Sequence, residues 1–93
     1  MRQYSETYHT LETRRKLGDE WSVWQRPLES TFRPSEMLAY QGRLVEAIEE
    51  AEKIHIQNCG HMRGVEFRCV TKTTTVTVVT GAIDEDRFQV HNS

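Results

Sequence analysis

His55, Cys59 and His61 fall within seven residues of one another, and Cys69 follows eight positions later. Imidazole and thiolate are the ligands zinc prefers, usually arranged as two short pairs such as C-x2-C and H-x3-5-H. Here His55-x3-Cys59 and Cys59-x-His61 share one cysteine, and the fourth ligand would have to come from the alternating stretch that holds Cys69. That spacing leads us to expect no metal and no cofactor. As a nucleophile, Cys59 would need His55 or His61 as base and a third group to orient it. Asn58 is the nearest such group, but close neighbours on a tight turn seldom reach an in-line geometry. Neither G-x-x-x-x-G-K-[ST] nor G-x-G-x-x-G occurs, so no phosphate cradle is expected. A chain of 93 residues also has little material with which to enclose a substrate pocket of about 300–1,000 Å³. It reads as a non-enzyme.

Charge offers more. The stretch "EAIEEAEKI" carries Glu46, Glu49, Glu50 and Glu52 within seven positions. If one helix runs from about Ser35 to about Ile56, these acids lie near its negative end, where cations would be favoured instead. On the helical wheel Glu46, Glu49 and Glu50 lie together, away from Leu44, Ile48 and Ala51, with Glu52 to one side. One explanation is a solvated face, helped by a Glu49–Lys53 pair. The other is a surface kept for a basic partner, since breaches of a local rule concentrate at functional sites. Arg14, Arg15 and Lys16 form the opposite charge cluster, with Trp21 and Trp24 close by in sequence. Cations beside aromatic platforms are how single-stranded nucleic acids are held, so these five residues define the alternative site.

Composition limits both readings. The net charge is −2 and the pI about 6.1, unlike the basic face of a dedicated DNA binder. Leu, Ile, Val and Phe total 20 of 93 residues, about 22%, barely above the roughly 20% at which chains lose the means to build a core. The core should therefore be thin and the stability modest, unless a homodimer or another partner adds burial. Two cysteines do not make a secreted disulfide framework. The first residues, "MRQYSETYH", lack the apolar segment of a signal peptide, and no apolar run approaches a membrane span. A reduced, cytoplasmic setting is the expectation.

The elements that must position these residues can be read in outline. Tyr4, Tyr8 and Leu11 fall at i, i+4 and i+7, a helical stripe, and Gly18 after Lys16–Leu17 suits a helix stop. Thr7, Thr10 and Thr13 are β-branched and pull the other way. Residues 1–18 are thus expected to form a short helix or arm, with a strand as the alternative. Glu20 to Arg26 alternates as a strand, with Trp21 and Val23 on one face and Trp24 on the other, ended by Pro27. Ser35 can cap a helix whose stripe is Met37, Tyr40, Leu44, Ile48, Ala51 and Ile54, widened by Ala47 and closed by Gly60. Gly42 lies inside it. Val65, Phe67 and Cys69 alternate inward against Glu66 and Arg68. "TTTVTVVT" continues the β pattern after a turn at Thr71–Thr73, with Thr71, Thr73, Thr75 and Thr77 as an exposed face. "RFQVH" reads as a last strand after "DED".

The sequence therefore predicts a single α+β domain over residues 1–93. One long amphipathic helix packs on an antiparallel sheet of about four strands; residues 1–18 are a helix or arm, and 19–93 the core. The function it points to is stoichiometric binding of a macromolecular partner, as an inhibitor, adaptor or regulator. The partner would be a protein with a basic surface, met by Glu46, Glu49, Glu50, Glu52, Trp21 and Trp24. Accessory proteins of bacteriophages and mobile elements that block a host defence or a nucleic-acid-binding enzyme share this acidic, non-catalytic profile. The competing expectation is a nucleic-acid-binding regulator acting through Arg14, Arg15 and Lys16.

Overall fold

A computed structural model describes residues 2–79. The order is strand β1 (Arg2–Leu17), a short strand β2 (Glu20–Trp21), a 3-10 turn (Ser30–Phe32), helices α1 (Arg33–Tyr40) and α2 (Leu44–Cys59), and strand β3 (Val65–Val78). Among the described residues the sheet has three antiparallel strands in the order β2-β1-β3. The α+β class is as expected; the details differ in four places. The expected strand "RFQVH" lies outside the described residues.

The first difference is β1, which is a strand and not a helix or arm. Its β-branched threonines suit an extended backbone, and β3 supplies a partner for every residue from Arg2 to Arg15. Long-range pairing outweighs the local helical spacing of Tyr4, Tyr8 and Leu11. Gly18 is accordingly a hairpin residue and not a helix stop. Its φ of 65° sits at the first central position of the two-residue turn joining Leu17 to Glu20, where glycine is wanted.

The second is the helix, which is two. Gly42 takes φ 83°, outside helical space, and Gln41 to Arg43 turn the chain between α1 and α2. The stripe holds in α2, where Ala47, Ala51 and His55 are buried and Ile48 and Ile54 pack beside them. It fails in α1: Met37 and Tyr40 are exposed, while Ser35 and Ala39 face inward. Ser35 is therefore no cap. The helix begins earlier, at Arg33, with Pro34 in its first turn.

The third is the absence of a turn at Thr71–Thr73: β3 runs straight through. The inward face of Phe67 and Cys69 thus continues into Thr71, Thr73, Thr75 and Thr77. On β1 the same face passes from Thr13, Leu11 and His9 to Thr7, Ser5 and Gln3. The change from apolar to hydroxyl side chains marks where the helical layer ends. Gln3–Thr77, Thr7–Thr73 and His9–Thr71 side chains bridge the two strands across that uncovered part.

The core is small. Leu11, Phe32, Ala39, Ala47 and Ala51 are buried, with Leu38, Ile48, Ile54, Phe67 and Cys69 packed against them. Phe32 and Phe67 meet with ring centroids 5.4 Å apart, and His55 sets its ring edge-on to Phe67 at 6.2 Å. Three alanines let α1 and α2 approach closely but contribute little apolar area each.

Candidate functional site

The fourth difference builds the site. Lys16 pairs with Trp21, whereas Thr13 pairs with Gln25, so the register slips by one residue between them. That extra residue is a bulge. Ser22 holds it, its N–H donating to the Arg15 carbonyl at 2.7 Å and its Oγ accepting the Arg15 N–H at 3.0 Å. Simple alternation puts Trp21 and Trp24 on opposite faces; the bulge returns both to the face that carries Arg14. The Arg14 guanidinium lies 4.6 Å from the Trp21 ring centroid and 4.8 Å from that of Trp24. Arg68, two rungs along, lies 4.2 Å from Trp24.

Cross-strand carboxylates complete the layer. Arg14 pairs with Glu66 at 2.6 Å, and Arg68 donates to Glu12 at 2.8 and 2.9 Å, with Lys72 3.8 Å from the other Glu12 oxygen. Directly opposed opposite charges of this kind stabilise antiparallel pairs. Arg15 points to the other face and binds Glu29 at 2.9 Å. A strand thus splits the cluster Arg14–Arg15–Lys16 between two faces, and two of its three charges are already matched.

The acidic residues are also redistributed. Because α2 begins at Leu44, Glu46 stands in its first turn, where negative charge is favoured, and pairs with Arg43 just outside the helix. Glu49 is exposed and Glu50 half-buried along the middle of α2. The conflict with the helix dipole disappears once the break at Gly42 is recognised. Glu52 stands apart from the other three. Together with Trp24, Met62, Val65, Glu66 and Phe67 it lines a recess of about 460 Å³, and it has no ion pair among the described residues. Two of the expected partner-binding residues, Glu52 and Trp24, therefore meet. Glu46 and Glu49 do not line this recess.

Sequence reasoning missed a second recess, of about 560 Å³, between β1 and α1. Tyr8, Leu11, Met37 and Tyr40 line it with Arg26, Arg33 and Glu36. Arg26 pairs with Glu36; Arg33 has no ion pair among the described residues. The exposure of Met37 and Tyr40 was concealed by the assumption of one continuous helix.

The thiols and imidazoles do not converge. His55 is buried, Cys59 is exposed at the end of α2, and Cys69 donates to the Leu44 carbonyl at 3.6 Å. Burial raises the Cys69 pKa, which keeps it a thiol. His55 is pushed down by burial first, then by the charges of Arg15 and His61, with Glu29 opposing. Among the described residues no three His, Cys, Asp or Glu side chains form a metal-binding group, and no helix is long and apolar enough to cross a membrane. No protein-family model matches the chain, and neither the curated proteins nor the solved structures contain a significant match.

Proposed function

We propose that this protein acts without catalysis, as an inhibitor, adaptor or regulator that binds a protein partner bearing a basic surface. One observation carries the reading: Glu52, without an ion pair among the described residues, stands at a recess whose other walls are Trp24, Met62, Val65, Phe67 and Glu66, the last already paired with Arg14. An aliphatic stem fits the apolar walls while a cationic head meets Glu52, which is how lysine and arginine side chains divide themselves between apolar and polar surroundings. Trp24 adds an apolar wall, its ring being already engaged by Arg14 and Arg68. The test is a pull-down from the native cell after nuclease treatment, comparing the parent with Glu52→Gln and Trp24→Ala. A basic protein that is retained by the parent and lost by both variants supports the reading. Retention by both variants overturns it.

A nucleic-acid role has support in a different place from the one first expected. Arg33 and Arg26 flank the exposed rings of Tyr8 and Tyr40, cations beside aromatic platforms. Salt-dependent retention of single-stranded oligonucleotides, lost in Arg33→Glu with Tyr40→Ala, would favour that reading. Lack of any shift at low salt would retire it.

A further inference from the structure

Beyond the helical layer, β1 and β3 continue as a bare two-stranded ribbon. Arg2 to Tyr8 pair with Lys72 to Val78, with no third strand among the described residues. Two strands alone are marginal in water, and a third is normally needed. The hydrogen-bond phase shows which groups are left free. Lys16 donates to Gly64 across the β3 side at 2.8 Å, whereas Thr13 exchanges both of its bonds with Gln25 across the β2 side. Even-numbered residues of β1 therefore face β3. By the alternation of antiparallel ladders, the even residues of β3 are used against β1. Thr71, Thr73, Thr75 and Thr77 then turn their N–H and carbonyl groups away from β1, to an edge that no described strand covers.

That edge carries little of what normally blunts one, Lys72 being its one charged residue. From Val70 to Val78 the sequence is VTKTTTVTV, with no proline, no glycine and a single charge. We propose that it pairs with the same edge of a second copy of this chain, antiparallel about a two-fold axis at Thr74. This register sets Thr71 opposite Thr77, Thr73 opposite Thr75, Val70 opposite Val78 and Lys72 opposite Val76. No like charges are opposed, and the four outward threonines bond one another. Each two-stranded ribbon becomes half of a four-stranded one, which removes its marginality. A partner strand rich in charge would gain less from so neutral an edge, which is why a second copy is the occupant the composition favours. The proposal is independent of the recess at Glu52.

Sedimentation equilibrium on the full chain, with residue-resolved amide exchange, tests it. The expected result is a concentration-dependent dimer in which the amides of Thr71, Thr73, Thr75 and Thr77 gain protection together. Thr75→Pro removes an outward N–H and none of the bonds to β1. It should move the equilibrium about tenfold to a hundredfold toward monomer, one bond being lost on each side of the axis. Thr73→Lys with Thr75→Lys should do the same by charge. A chain that stays monomeric at every concentration overturns the proposal. In that outcome, fast exchange of the odd amides means an open edge, and concentration-independent protection assigns it to residues 80–93.

Discussion

The Arg68 guanidinium lies 4.2 Å from the ring centroid of Trp24 while two of its N–H groups bind one oxygen of Glu12. Ring and carboxylate therefore hold the cation between them on the open face of the sheet. A double-mutant cycle of Trp24→Leu and Arg68→Met should give a coupling of about 0.5–1 kcal/mol in chemical denaturation, the range for a solvent-accessible cation–π pair. Coupling indistinguishable from zero would mean that the contact between Arg68 and the Trp24 ring adds nothing beyond packing.

Gly42 gives a prediction whose sign decides between two folds. In a continuous helix, replacing an interior glycine by alanine stabilises by about 1 kcal/mol. At φ 83° the same change is strained, although the new methyl would meet only the His9 ring at an ordinary 3.7 Å. Gly42→Ala should therefore lower stability by about 1 kcal/mol or more, read as a lower denaturation midpoint at unchanged slope. A rise would restore the single helix.

How much of this was legible follows from where information is local. The α2 stripe and its Gly60 stop needed only helical spacing, and Gly60 does cap the helix with φ 84°. The inward set Val65, Phe67 and Cys69 needed only alternation. Gly42 did not announce itself, because a glycine within a helical pattern and one between two helices look alike without the partner surfaces. The strand at residues 2–17 was hidden for a related reason: its stability comes from β3, whose paired residues lie 50 to 76 positions away along the chain. The joining of Trp21 and Trp24 on one face depended on a bulge at Ser22 that alternation cannot reveal. Of the candidate site, Trp24 and Glu52 were identified by residue type, but their meeting is a property of the tertiary fold.

Ser35 offers a second test of sign. As an N-cap it would lose about 1 kcal/mol on replacement by alanine. In the structure its hydroxyl is buried and has no hydrogen-bond partner among the described residues. Removing an unsatisfied buried group should leave stability unchanged or raise it by about 1 kcal/mol. A clear loss in thermal and chemical melts would show that the hydroxyl is bonded after all.

Stability should also fall on mild acidification. Burial, with Arg15 and His61 nearby, lowers the His55 pKa below its ordinary 6.5 in the folded chain. Between that lowered value and 6.5 the unfolded chain binds more protons than the folded one, so stability drops as pH falls through this window. Above 6.5 the contribution is fully present; below the folded value its loss is complete. The melting temperature should decline from pH 7 toward pH 5, and His55→Leu should flatten that slope relative to the parent. An unchanged slope in the variant would place the titration elsewhere.

The acidic residues of α2 should separate by role. Glu46 lies in the first turn and pairs with Arg43, so changing Glu46, Glu49 and Glu50 together to Gln removes a favourable dipole interaction and an ion pair. A loss of about 0.5–1 kcal/mol is expected. Had these acids crowded the negative end of one long helix, the same change would have been neutral or stabilising. Glu52 lies farther along, at its recess and without an ion pair among the described residues, and Glu52→Gln should alter stability by less than about 0.5 kcal/mol. If the recess receives a lysine or arginine, that single change should nevertheless weaken partner binding by about 1–3 kcal/mol and reduce its salt dependence. The two variants are thus expected to show opposite patterns: the triple change weakens the fold more than the binding, and Glu52→Gln weakens the binding more than the fold. Equal loss of binding in both, with affinity following stability, would mean that α2 supports the partner site only by being folded.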